Sequence, residues 1–194
     1  FRIFGTRSDI SLADAHLQSY CCSLVRGGLE DALAGRLGFL EGAVFPHTCD
    51  SIQRLSDIWR LNAGMNRHFD VVLPVKLTTA SARAYMISVL KQFRAEMESA
   101  FGITIPDDRL RAAISTHNRI RELLEKIYMF RSRYPDQLKA SDMYHVMKAA
   151  MVMDRDVLSA ELESLWSDLM RATPAEPPKG RKRILLSGGV CNHP

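Results

Sequence analysis

The sequence predicts an α/β fold: a parallel, doubly wound sheet domain, then a large helical region, then the start of a second α/β domain. Three observations predict it. The short apolar runs Ala43-Val-Phe45 and Phe69-Asp-Val-Val-Leu-Pro-Val75 read as buried strands with a helical pattern between them. From Thr79 to Ala172 apolar residues recur at helical spacing with no strand signal among them. Beyond a proline-rich stretch, Arg183-Ile-Leu-Leu-Ser-Gly-Gly189 reads as a new strand ending in a glycine turn.

In chain order, Phe1 to Gly5 suggests the end of a strand, followed by a polar loop and a short helix over Leu12 to Gln18. Ser23 to Ala34 has helical spacing, with Leu24, Val25, Leu29, Ala32 and Leu33 apolar and Gly35 as the stop. After the strand at Ala43, Pro46 opens a turn that contains Cys49. Asp50 or Ser51 is placed to cap the next helix, whose inward stripe is Ile52, Leu55, Ile58 and Trp59. Thr79 or Ser81 caps a helix running to Phe101, with Met86, Leu90, Phe93 and Met97 on one face and Gly102 ending it. Pro106 starts another, lined on one side by Leu110, Ile114, His117, Leu124 and Ile127 as far as Tyr134-Pro135. Ser141 opens a Met-rich helix to about Met153. Asp156 begins the last, with Leu158, Leu162, Leu165, Trp166 and Leu169 inward. Leu and Met at such spacing are core packing. The expected domains are therefore residues 1–78 (α/β), 79–172 (helical), 173–182 (linker) and 183–194 (start of a second α/β domain).

The 194 residues are 46% hydrophobic and 25% charged, the composition of an ordinary soluble globular protein with a sizeable core. The net charge of +4 is small, and basic residues alternate with acidic ones except in Lys179-Gly-Arg-Lys-Arg183, so no nucleic-acid stripe stands out. No apolar run reaches membrane-spanning length and no signal peptide opens the chain, which makes the cytoplasm the expected location. The chain starts without methionine on a strand-like segment and stops after a strand and turn, so it reads as a fragment of a longer polypeptide.

The 4 cysteines are too few for a disulfide scaffold and lack the paired spacing of a zinc ribbon. Cys22 and Cys49 share a setting, since each precedes a helix. Exposed N–H groups and the positive end of a helix dipole stabilise an anionic ligand there, including a thiolate-bound cluster of iron and sulfide. On the residues alone, ordinary reduced cysteines in a loop is the commoner reading.

The segment Cys22-Ser-Leu-Val-Arg26-Gly, together with Gly38-Phe-Leu-Glu-Gly-Ala-Val-Phe-Pro-His-Thr-Cys49-Asp50-Ser, resembles the benzoyl-CoA reductase and 2-hydroxyacyl-CoA dehydratase family. The closest likeness is to the cluster-bearing catalytic subunits (B/C type) of the ATP-dependent reductase, where Pro-His-Thr-Cys-Asp-Ser is typical. Leu186-Ser-Gly-Gly-Val-Cys-Asn-His-Pro194 resembles the start of that family's second domain. The resemblance implies a [4Fe-4S] cluster held by three cysteines, of which Cys22 and Cys49 match the first two positions. The third belongs to a later part of the second domain and is absent from this sequence. Cys191 does not match it, whereas Cys21 is close enough to replace Cys22 by slipping one place.

The resemblance further implies an acyl-CoA substrate, a homologous cluster-bearing partner subunit, an ATP-hydrolysing activator and ferredoxin as electron source. Single electrons of very low potential would reduce the ring of benzoyl-CoA to a cyclic diene in anaerobic aromatic degradation. In the dehydratase branch they would form a ketyl radical that expels hydroxide. A non-catalytic α/β partner subunit is the remaining alternative. Of the other polar residues, His47 is a weak catalytic candidate, able to donate a proton or a hydrogen bond near Cys49, or simply to be tied to backbone in the turn. Arg26 is placed to face a CoA phosphate or a partner, or to pair with Glu30 one helical turn on. His117, on an apolar face, reads as a core histidine.

Overall fold

The structure, a computed structural model, describes residues 1–3, 5, 9–64, 67–172, 180 and 182. The expected linker and second α/β start, with Cys191, lie outside the described residues apart from Gly180 and Lys182. The chain divides into two compact units, Ile3–Ile105 and Phe1–Arg2 with Pro106–Pro194.

In the first unit the order is α1 (Ser11–Asp14), α2 (Ser23–Leu33), β1 (Ala43–Pro46), α3 (Asp50–Asn62), β2 (His68–Val71) and α4 (Ala80–Phe101). β1 and β2 pair in parallel, Ala43 opposite His68 and Pro46 opposite Val71, with α3 as the crossover that parallel strands require. This is an α/β arrangement. The core gathers Val25 and Leu29 of α2, Ala43 and Phe45 of β1, and Leu55 and Trp59 of α3, with Ile52 and Ile58 packed against it. Trp59 meets Phe45 edge-on at 5.4 Å between ring centroids. Both strands differ from the sequence expectation. β1 alternates, leaving Val44 exposed, because only its Ala43 and Phe45 face meets the helices. β2 ends at Val71 and not at Val75, which is fully exposed: Pro74 has no N–H to offer a ladder. Phe1–Ile3 and Gly5 form no strand.

Gly5 shows how tightly the chain start packs. Its φ is +70°, and a Cβ there would lie 2.8 Å from the Gly27 backbone in α2. A left-handed conformation and a backbone-to-backbone approach together demand glycine. α2 is further joined to α1 by the buried Glu30, whose Oε2 accepts from the Ala13 N–H at 2.8 Å. α4 is capped by Thr79, which accepts from the Ala82 N–H, and ends at Gly102 in the left-handed region, as the sequence indicates. It packs on β2, where Phe69 meets Phe93 and Phe101, and so belongs to the unit that runs to Ile105.

The second unit holds α5 (Asp107–Arg133), α6 (Ala140–Val152) and α7 (Arg155–Arg171). Its core is Ile120, Leu123, Ile127, Phe130, Met143, Leu158, Leu162 and Leu169, with Leu165 and Trp166 packed against it. The α7 stripe is the one the spacing predicts. The α5 stripe holds only in its second half: Leu110, Ile114 and His117 are exposed. His117 is therefore not a core histidine, because the buried face of α5 begins at Ile120. Among the described residues no helix is long and apolar enough to cross a membrane.

Candidate functional site

Cys22 and Cys49 are the N-cap residues of α2 and α3, and both are exposed. Each has extended backbone, and neither side chain makes a capping hydrogen bond. Each sulfur is thus left uncommitted beside helix N–H groups that have no intrahelical acceptor. α2 and α3 pack on one another within the same unit. Cys49 replaces Asp50 and Ser51 as the cap, and Asp50 becomes the first helical residue, where its charge suits the helix dipole. Cys21 differs from its neighbour: it is buried in the core beside Leu17 and Val25.

The turn carrying Cys49 is held from two sides. The His47 N–H donates to the Val71 carbonyl at 2.9 Å, continuing the β1–β2 ladder by one residue. The His47 ring, through Nε2, lies 2.8 Å from Asp70 Oδ1. The same carboxylate oxygen accepts a short hydrogen bond from the hydroxyl of Ser56, which is 2% exposed on α3. Ser56 Oγ also lies 2.8 Å from Nε2 of His68, and that nitrogen is 3.3 Å from Asp70 Oδ2. The His68 ring stacks on Phe45 at 4.7 Å.

Desolvation acts to raise the pKa of Asp70, but the hydrogen bonds from Ser56 and His47 and the charges of the two histidines outweigh it. The carboxyl is held below its ordinary value. His47 is therefore bound both through backbone and through its ring, with Nε2 committed to Asp70. Sequence reasoning missed Ser56, His68 and Asp70. Two signals could have revealed them: the two-residue spacing of His68 and Asp70 along a strand, and a serine lodged between Leu55 and Trp59 on a buried helix face.

Arg26 pairs with Asp14 through Nε at 3.0 Å and through Nη2, and not with Glu30, whose carboxylate turns inward to Ala13. A cavity of about 330 Å³ lies elsewhere, lined by Gly35, Gly38, Glu41, Gly64 and Arg67. Glu41 and Arg67 precede the two strands, so this space is at the amino ends of the parallel pair, whereas Cys49 follows the carboxyl end of β1. Among the described residues no group of three or more His, Cys, Asp or Glu is placed to hold a metal ion. The two exposed thiols fit a soft metal or sulfide-bridged cluster by donor type, yet supply only part of a coordination shell.

These features define a class: an α/β protein that presents thiols at loop-to-helix turns. Comparison with known proteins narrows it. Residues 2–194 match the family model described as "2-hydroxyglutaryl-CoA dehydratase, D-component", and the chain belongs to that family. It is 32% identical over 193 residues to the C-type subunit of benzoyl-CoA reductase from Thauera aromatica, covering 98% of this chain and 49% of that protein. It is 24% identical over 190 residues to the (R)-phenyllactyl-CoA dehydratase beta subunit of Clostridium sporogenes (98% and 50%). It is 26% identical over 179 residues to the beta subunit of (R)-2-hydroxyglutaryl-CoA dehydratase from Acidaminococcus fermentans (91% and 46%). The chain spans about half the length of the curated relatives it matches. Each of these relatives is named as a subunit of a reductase or dehydratase, so the family is one of enzyme subunits.

Proposed function

We propose that this chain is the cluster-binding part of a catalytic subunit of an ATP-dependent benzoyl-CoA reductase, acting in the cytoplasm in anaerobic aromatic degradation. The observation that carries the reading is the pair of exposed, uncommitted thiols, Cys22 and Cys49, each at the N-cap of its own helix within one α/β unit. The 32% identity to a benzoyl-CoA reductase subunit supports the choice of reaction.

The two thiolates would hold a [4Fe-4S] cluster, with a third cysteine supplied by sequence beyond this chain. When bound, such a cluster supplies low-potential single electrons and, at an iron without a protein thiolate, a position open to the substrate thioester. The chain's own residues have other tasks. The N–H groups at the starts of α2 and α3 favour negative charge beside Cys22 and Cys49. The core of Phe45, Leu55 and Trp59 keeps α3 seated on β1 and excludes water from beneath the turn. The partners of the reading are a homologous cluster-bearing subunit, an ATP-hydrolysing activator fed by ferredoxin, and an acyl-CoA substrate.

A dehydration reaction on a 2-hydroxyacyl-CoA is the second reading, favoured by the two dehydratase relatives. Turnover of benzoyl-CoA and of 2-hydroxyacyl-CoA thioesters by the full-length complex separates the two. Anoxically purified full-length protein should contain iron and sulfide, and Cys22→Ser or Cys49→Ser should deplete the iron. Unchanged iron removes that residue from the ligand set, and a colourless, iron-free protein leaves only a non-catalytic partner subunit.

A further inference from the structure

The arrangement behind Cys49 has no counterpart behind Cys22. Cys49 sits on a short turn between β1 and α3, and the His47 side chain that roots this turn is held by a carboxylate from the neighbouring strand. Asp70 Oδ1 lies 2.8 Å from His47 Nε2 and accepts from the buried Ser56 hydroxyl, so one oxygen joins the turn, strand β2 and helix α3. His68 closes the set from the same strand, 2.8 Å from Ser56 and 3.3 Å from Asp70. Two of the three anchoring groups, Ser56 and His68, are well buried, and the stacking of His68 on Phe45 locks its ring in place. A hydrogen-bonded group of this kind has few alternative arrangements, because displacing one member strands a polar atom of the others.

We propose that Asp70, with Ser56 and His68 behind it, is a positioning residue for Cys49: it clamps His47 and thereby fixes where the turn presents the thiol at the start of α3. The inference rests on the reading of Cys49 as a functional thiol, and it assigns the ring of His47 to anchoring the turn. Cys22 is presented instead by close packing of α2 against α1 and Gly5, and so serves as an internal reference.

The test attaches a trifluoromethyl tag to the exposed thiols of the full-length chain and follows their ¹⁹F resonances, assigned from Cys22→Ser, Cys49→Ser and Cys191→Ser controls. In the native protein the Cys49 tag should give one narrow line away from its position in urea. In Asp70→Ala that line should move at least half of the way to the urea position, or split, while the Cys22 line stays in place. Asp70→Asn, which retains an oxygen acceptor, should bring it back, and Ser56→Ala should give a smaller shift in the same direction. A Cys49 line unmoved by Asp70→Ala, or Cys22 and Cys49 lines that move together, overturns the proposal. The second result would mean that Asp70 merely supports the unit as a whole. The readout contains no iron: retention of iron by the Cys49→Ser protein would sink the ligand reading and leave the clamp standing.

Discussion

Trp59 is the most severe single test of how α3 is seated. It is 1% exposed, packs edge-on to Phe45 and belongs to the helix whose first residue follows Cys49. A buried indole removes about 150–250 Å² from water, which at roughly 25 cal/mol per Å² is about 4–6 kcal/mol. Residual burial in the unfolded chain trims this to about 3–5 kcal/mol, the range expected for a core Trp→Ala change. The indole N–H is buried without a partner among the described residues, so no lost hydrogen bond adds to that figure. Trp59→Ala should therefore lower the unfolding free energy by about 3–5 kcal/mol and the thermal midpoint by about 10 °C. Trp59→Phe keeps an aromatic edge for Phe45 and removes the unpartnered N–H, so it should cost about 1–2 kcal/mol, well under half as much. Urea titration followed by far-UV circular dichroism measures both. A loss below about 1 kcal/mol for Trp59→Ala would refute the view that this ring is what holds α3 on β1.

Three further outcomes are expected. The Asp70 carboxyl is held below its ordinary value of 3.8, so its stabilising contribution is complete above that value and is lost as pH falls through the lowered one. Asp70→Asn should flatten the fall in stability below about pH 4; parallel acid limbs for the two proteins would remove Asp70 from the account. Gly5→Ala would force a φ of +70° on a residue with a Cβ and press it on Gly27, costing about 1–3 kcal/mol by chemical denaturation; a neutral change would show that the chain start is not docked on α2. Thr79→Ala removes the acceptor for the Ala82 N–H and should cost about 1 kcal/mol, with amide exchange accelerated at the first turn of α4 and unchanged near Gly102.

Much of the architecture could be read directly from the residues, because it depends on neighbours in the chain. Thr79 and Gly102 mark the ends of α4 by local chemistry, and the Leu158, Leu162 and Leu169 stripe of α7 follows from helical period alone. The positions of Cys22 and Cys49 immediately before helices come from the same source. Where a stripe met its partner was harder to judge. The spacing of Leu110, Ile114 and His117 is as regular as that of Ile120 and Ile127, but what packs on α5 reaches only the later pair.

The sequence by itself determined a parallel α/β unit, the long helices after it, and the two thiols worth watching, since period, caps and motif spacing are properties of adjacent residues. Only the tertiary structure decided that Arg26 turns to Asp14, that Cys21 faces the core while Cys22 faces out, and that Asp70 reaches across to His47. Those outcomes join residues 12 to 23 positions apart or depend on which side of a turn the core lies. Pairings of that kind exist only once strand register and helix packing have brought distant side chains within hydrogen-bond reach.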